Sequence, residues 1–172
     1  MIDSDAWPYF AYALYLAWLT AGALDFHLHR RTGLSKTSGV RESALHGAQL
    51  ACVGAGVLLW LSFYPNLLVS ALVIALAGGH AMLGYWDTCV ADGVRRVSPL
   101  EQHVHSVLDA CPWIFAVVIC ASAEPGWQGV LRPRPTFTWV IVLAPAMVMV
   151  VLAWLLEFIA AWRDRSQRSR AL

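Results

Sequence analysis

Five stretches of the sequence, each about as long as a membrane-crossing helix, constrain the fold more than any other feature. They cover residues 7–24, 44–63, 67–85, 104–123 and 137–162. The hydrocarbon core of a bilayer requires about 20 mostly apolar residues in a helix that crosses it, and a spanning segment must satisfy its own backbone hydrogen bonds. The sequence therefore predicts a single all-α integral-membrane domain over residues 1–172, built as a bundle of five transmembrane helices.

The composition supports a membrane protein and excludes a nucleic-acid partner. Hydrophobic residues make up 59% of the chain and charged residues 13%, whereas soluble domains carry about 25% charged residues. The formal net charge is only +1, and nucleic-acid-binding domains are recognised by a strongly basic surface. The expected partners are therefore the lipid bilayer and a lipid-soluble molecule.

The basic residues predict the orientation of the chain. Ten of the twelve Lys and Arg residues fall within residues 30–41, 95–96 and 163–170, which lie on one side of the five predicted helices. The other two, Arg132 and Arg134, lie on the opposite side. Because Lys and Arg accumulate in cytoplasmic loops, we expect the N-terminus outside and the C-terminus in the cytoplasm, in a bacterial-type inner membrane.

All six histidines lie near the predicted cytoplasmic ends of the first four helices, and four of them have an acidic partner on the same helix face. The pairs are Asp25/His29, Glu42/His46, His80/Asp87 and Glu101/His105. Spacings of four and seven residues place both members of a pair on one face. Helix direction then puts one member of each pair deeper in the membrane than the other. The deeper tier is Asp25, His46, His80 and His105, and the shallower tier is His29, Glu42, Asp87 and Glu101. These eight residues predict a metal site at the cytoplasmic ends of helices 1–4.

The mixture of ligand types indicates which metals the site would hold. Imidazole and carboxylate together suit iron, zinc or manganese, and inward-facing acid and histidine pairs build the dinuclear centres of carboxylate-bridged bundles. We expect the site to hold two iron ions, with zinc as the alternative metal. Asp109 and Glu157 are predicted to hydrogen-bond to ligating imidazoles, and His27 and His103 are further candidate ligands.

Simpler interpretations of several of these residues stay open. Ser98 and Glu101 have the spacing of a capping box, so Glu101 is either a helix cap or a ligand. His27 and His103 are predicted to be exposed at the membrane interface, where a histidine needs no metal ion as a partner. His80 follows two glycines, and a buried histidine with its own hydrogen bonds fits that position as well.

The site is similar in its logic to integral-membrane non-haem di-iron oxygenases and desaturases, in which helix-end ligands face the cytoplasm. Their HxxHH boxes are absent from this chain. "DFHLH", with Asp25 and His29, followed by His46, resembles the Asp-x3-His and distal His pattern of the C subunit of particulate methane monooxygenase. Both resemblances cover a few residues and imply a metal-dependent oxidoreductase.

Three functions are compatible with this pattern. The first is a di-iron oxidoreductase that uses O2 and an electron donor to hydroxylate or desaturate a lipid-soluble substrate. The second is a zinc-dependent membrane hydrolase of a lipid, in which a glutamate acts as general base for the metal-bound water. The third is a metal-binding or haem-binding membrane protein without catalysis, although haem ligation gives no reason for four acids.

Overall fold

The computed structural model describes residues 7–170, which form a bundle of long helices. The helices are α1 (Trp7–Thr32), α2 (Gly39–Ser62), α3 (Leu67–Ala91), α4 (Pro99–Ala121), α5 (Thr136–Ala146) and α6 (Leu152–Arg170). A π-helical turn, Met147–Val151, joins α5 to α6, and a short 3₁₀ helix, Leu34–Lys36, precedes α2. The architecture is all-helical, as predicted.

Within residues 7–170, four helices, rather than the five expected, are long and apolar enough to cross a membrane. They are α2, α3, α4 and the continuous helix Thr136–Arg170, which is compatible with an integral membrane protein. The prediction for the first segment, 7–24, is wrong by this measure, although α1 has 26 residues. The physical reason is that Tyr9, Tyr12 and Tyr15 recur within its apolar stretch and lower its mean hydropathy.

The helices pack side by side, so that one end of each reaches the same layer. Helix α1 runs antiparallel to α4, because Gly22 packs near Leu108 and Asp25 contacts His105. Helix α1 runs parallel to the last span, the continuous helix Thr136–Arg170. The two meet first at the hydrogen bond between the Tyr15 hydroxyl and the Val142 carbonyl, at 2.6 Å. The C-terminal ends of α1 and α3 and the N-terminal part of α6 therefore meet the N-terminal ends of α2 and α4.

Pro145 shapes the last span beside α1. Proline has no N–H, so it cannot donate to the carbonyl of Ile141, four residues earlier. The hydroxyl of Tyr12 donates to that carbonyl instead, at 3.1 Å. The π-helical turn Met147–Val151 follows directly, and such turns often occur next to functional sites.

Gly47 sets the distance between α2 and α6. A Cβ atom at this position would lie 2.4 Å from Cζ2 of Trp154, so only glycine lets the indole lie against the α2 backbone. The indole N–H then donates to the Ser43 carbonyl at 2.8 Å. This contact holds α6 in the register that brings Glu157 to the histidines of α1 and α2.

Candidate metal centre

Nine ionisable side chains meet in one network at the common end of the helices. They are Asp25, His29, Glu42, His46, Asp87, Arg95, Glu101, His105 and Glu157. Every helix of the bundle except α5 contributes, and Arg95 comes from the connection between α3 and α4. The structure therefore brings together seven of the eight residues predicted as ligands.

His29 lies at the centre of the network and is fully buried. Its Nδ1 lies 3.0 Å from Glu157 Oε2. Its Nε2 lies 3.4 Å from both Asp25 Oδ1 and Glu101 Oε1. Because a carboxylate only accepts hydrogen bonds, the Glu157 contact places a proton on Nδ1 and leaves Nε2 facing two further oxygens.

His46 stacks on His29 and shares the same carboxylate. The two rings lie 4.6 Å apart and are inclined by only 9°. Nδ1 of His46 lies 2.9 Å from Glu157 Oε1, and its Nε2 lies 3.2 Å from Asp87 Oδ2. Glu157 thus binds one imidazole with each oxygen, and it fixes both rings so that their Nε2 atoms point at other carboxylates.

Arg95 supplies the permanent positive charge of the network. Its guanidinium lies 2.5 Å from Glu42 and 2.6 Å from Glu101, and its side chain is 1% exposed. Burial alone would lower the pKa of Arg95, but the hydrogen bonds and charges of Glu42 and Glu101 outweigh it and raise that pKa above its usual value. Glu42 is also bound by the Ser38 hydroxyl, so this carboxylate is more fully paired than the others.

Glu101 is a helix cap, and its second carboxylate oxygen faces the network. The capping box with Ser98 is present, with Ser98 Oγ 3.2 Å from the Glu101 backbone N and Glu101 Oε2 3.3 Å from the Ser98 backbone N. The other carboxylate oxygen, Oε1, faces His29 and Arg95. The helix cap therefore holds the side chain with one oxygen turned into the network.

Three donor atoms in the network have the spacing that a metal ion requires. Asp25 Oδ1, His29 Nε2 and Glu101 Oε1 are all buried. Glu101 Oε1 lies 2.6 Å from the Arg95 guanidinium, and Asp25 Oδ1 lies 3.0 Å from Nε2 of His105. Donors about 2.1 Å from a tetrahedral metal lie about 3.4 Å from one another, which is the separation of His29 Nε2 from both oxygens. With His105, whose Nε2 is 3.0 Å from Asp25 Oδ1, these residues offer four donors within 4.8 Å of one another.

A second group of donors shares His29 with the first. His29, Glu42 and His46 also offer atoms that lie within 4.8 Å of one another, and all three residues are buried. Because Nδ1 of His29 faces Glu157, only its Nε2 is left for a metal, so the two groups mark two alternative positions for one ion, and a second ion would need donors of its own. The residues present fit a metal in donor type, in burial and in spacing.

The charge balance of the network also calls for cations. Its five carboxylates are each at most 5% exposed, and Arg95 compensates one of them. With neutral imidazoles, four negative charges are left without a counter-charge, and buried charges are very costly unless they are paired. Protonation of all three imidazoles would still leave one negative charge, whereas two divalent cations would neutralise all four.

Four residues predicted for the site lie outside the network. His80 is 6% exposed and makes no hydrogen bond or ion pair with another described residue. Asp109 is exposed and lies beside Gly84 and Gln49; within residues 7–170 it has no ion pair with a histidine. His27 and His103 are exposed and have no contact with the network, as the interfacial interpretation predicted.

An apolar cavity of about 370 Å³ opens between α1, α2 and the last span, directly beside the network. Asp25 and His46 form part of its wall, together with His80 and Gln49, and nearly all other lining residues are hydrophobic. Ligand pockets commonly have volumes of about 300–1,000 Å³ and combine apolar walls with few polar groups. The cavity therefore has the size and the lining of a ligand pocket, and it reaches the network.

Sequence reasoning missed Arg95 as a member of the network. Arg95 was counted only towards orientation, although its position in the short connection between Asp87 and Glu101 already places a cation beside two acids. Glu157, for which a hydrogen bond to a ligating imidazole was predicted, lies between His29 and His46 and contacts both rings.

Comparison of the chain with protein-family models, with curated protein sequences and with solved structures finds no match.

Proposed function

We propose that this protein is a membrane-embedded non-haem metal oxidoreductase with two iron ions, which uses O2 to hydroxylate or desaturate a lipid-soluble substrate. The observation that carries the proposal is the largely buried cluster of five carboxylates, three imidazoles and one guanidinium, which with neutral imidazoles would keep four uncompensated negative charges. The neighbouring apolar cavity supports the substrate class. The predominance of Lys and Arg at the same end of the bundle supports a cytoplasmic location for the centre.

Each side chain has a defined task in this proposal. Asp25, Glu101 and His105 hold one metal ion together with Nε2 of His29, while His46 and Asp87 bind the second. Glu157 accepts a hydrogen bond from Nδ1–H of each stacked imidazole, and this keeps the Nε2 lone pairs available. Hydrogen bonds of this kind orient ligating histidines. The bound iron supplies the redox chemistry with O2.

The proposed reaction requires an external electron donor. Hydroxylation consumes one C–H bond, one O2, two electrons and two protons, and it yields one C–OH group and one water. Desaturation removes two hydrogens from neighbouring carbons with the same inputs and yields two waters. The cytoplasmic location of the centre would allow a soluble electron-transfer protein to dock near it.

A zinc-dependent lipid hydrolase is the second candidate, and one observation favours it. Asp25, His29, Glu101 and His105 form a four-donor group whose atoms lie within 4.8 Å of one another. A catalytic zinc takes three protein ligands and keeps its fourth position for water. Three of these four residues would therefore hold Zn²⁺, and one carboxylate would act as general base for the bound water. The apolar wall of the cavity favours the oxidative alternative, because a hydrolase must admit water to the bond that it cleaves.

The experiment that separates the two functions is a turnover assay with defined metals. The detergent-purified protein is loaded with Fe²⁺ or Zn²⁺ and incubated with extracted membrane lipids, a chemical reductant and O2, and the lipids are analysed by mass spectrometry. The oxidoreductase predicts products that have gained one oxygen atom or lost two hydrogens, only with iron and O2. Cleaved lipids with zinc and without O2 would support the hydrolase and contradict the first proposal.

Two variants control the assay. Glu101→Gln keeps a capping-box side chain but removes an anionic donor, and it is expected to abolish turnover. Glu124→Gln alters an exposed acid in the connection between α4 and α5 and is expected to leave turnover unchanged. Equal turnover in both variants would contradict the placement of Glu101 at the centre.

A further inference from the structure

His80 is a buried polar residue that the network does not use. It is 6% exposed, and its Nδ1 is enclosed and has no hydrogen-bond partner. Within the part of the chain that the structure describes, neither ring nitrogen makes a hydrogen bond. A buried polar group without a hydrogen bond is costly, so the position of His80 in a mainly hydrophobic wall calls for an explanation.

The position of His80 points to a ligand. Its side chain lines the 370 Å³ cavity that Asp25 and His46 also line, and it also lines a smaller cavity of about 20 Å³ together with Trp18, Cys52 and other residues. A molecule in the larger cavity can therefore touch the metal network and His80 together.

We propose that His80 is the polar anchor of a substrate subsite, and that the cavity takes an uncharged lipid that carries one hydroxyl or carbonyl oxygen. The imidazole hydrogen-bonds to this oxygen and thereby places the carbons near it against Asp25 and His46. The inference deepens the proposed function, on which it rests for its chemistry, although the binding itself requires no metal and no turnover.

The charge of the surroundings selects the substrate class. In the metal-free protein the carboxylates of the network make the cavity's inner end negative, so an anionic head such as a fatty-acid carboxylate is repelled. The hydrophobic wall makes the transfer of any unpaired charge into the cavity costly. A plain hydrocarbon would fill the space but would leave His80 without a partner. A neutral oxygen on an apolar chain satisfies both conditions.

The test measures binding to the chelator-treated protein in lipid nanodiscs by native mass spectrometry. The probes are a fatty alcohol, the alkane of the same chain length and the fatty-acid anion of the same length. We expect the alcohol to bind about tenfold more tightly than the alkane, because one hydrogen bond to a buried group contributes about 1–1.5 kcal/mol, which corresponds to about tenfold in affinity. The anion is expected to bind most weakly.

Two pairs of variants make the result specific. His80→Leu should remove the preference for the alcohol and leave alkane binding intact, whereas His103→Leu, at an exposed position, should change neither. Gly54→Leu should reduce the binding of all probes, because Gly54 lines the cavity and a side chain there meets open space. Gly78→Leu, which also points into open space but does not line the cavity, should bind as wild type.

An unchanged preference for the alcohol in His80→Leu would overturn the anchor. Equal binding of alkane and alcohol by the wild-type protein would instead identify a non-specific acyl-chain cavity and would also overturn the proposal. Because the metal is removed throughout, neither outcome depends on whether the metal centre performs oxidation.

Discussion

Replacement of Glu157 by glutamine tests how the network prepares its imidazoles for a metal. The carboxylate is 4% exposed and lies 3.0 Å from Nδ1 of His29 and 2.9 Å from Nδ1 of His46. Glutamine has the same shape, but it offers one acceptor oxygen and one NH₂ donor. Its oxygen can therefore accept a hydrogen bond from Nδ1–H of only one imidazole, and Nδ1 of the other ring must face the NH₂ donor.

The mismatched imidazole then has to move its proton from Nδ1 to Nε2. That shift removes the Nε2 lone pair from the metal, so Glu157→Gln loses one properly oriented nitrogen ligand. Loss of such a hydrogen bond typically lowers metal affinity by about 10–100-fold, which corresponds to about 1.4–2.7 kcal/mol. The stabilisation that saturating metal gives to the folded protein should fall by the same amount.

The assay is a competition titration of Fe²⁺ or Zn²⁺ against a chelator, combined with thermal unfolding in detergent with and without metal. Glu124→Gln is the matched control at an exposed acid and should behave as wild type. Wild-type metal affinity in Glu157→Gln would refute the argument that this carboxylate sets the tautomers of His29 and His46. A loss of stability that is equal with and without metal would show a purely structural role.

Three further predictions concern the surroundings of the network. Gly47→Ala forces a Cβ to within 2.4 Å of the Trp154 ring. We therefore expect thermal unfolding to show a destabilisation of about 1–3 kcal/mol and chelator competition to show weaker metal binding. Gly78→Ala, where a Cβ meets open space, should change neither. Arg95→Met removes the buried counter-charge of two glutamates and should destabilise the chelated protein by about 3–5 kcal/mol. Added divalent metal should restore a larger part of this stability than it adds to wild type, and equal gains would contradict the charge argument. His29→Ala should abolish metal binding in elemental analysis while His27→Ala, at an exposed position, retains it; metal retained in both would exclude His29 as a ligand.

The helical pattern predicted most of the network because it depends on local geometry. The i, i+4 pairs Asp25/His29 and Glu101/His105 lie on single helix faces whatever the packing of the bundle, and apolar flanking residues set which end they occupy. Once the helices are antiparallel neighbours, these faces meet at one end. The capping box of Glu101 is equally local, and the structure confirms it.

The remaining features depend on tertiary contacts that no local pattern encodes. His80 lies seven residues from Asp87, about 10 Å along the helix, so the two cannot reach the same layer, and His46 meets Asp87 instead. Glu157 reaches the histidines because Gly47 admits the Trp154 ring and fixes the register of α6. The contacts of Arg95 with Glu42 and Glu101 likewise depend on the path of the connection between α3 and α4.

The two predicted tiers also merge into one network. His46, assigned to the deeper tier, lies 3.2 Å from Asp87, assigned to the shallower one. Side chains of histidine and the acids extend along the helix axis as well as away from it, so residues one turn apart in depth reach the same atoms. Depth estimated from backbone rise alone cannot assign individual residues to separate metal ions.

The central claim is that the buried acid and histidine network binds metal, and elemental analysis of the detergent-purified protein tests it most directly. The protein is expressed with iron, zinc and manganese available, washed with a weak chelator, and measured together with its ultraviolet–visible spectrum. We expect two iron ions per chain and a spectrum without a Soret band. The His29→Ala variant is expected to lose its metal. Metal at background level in the wild-type protein, equal to that of His29→Ala, would contradict the account.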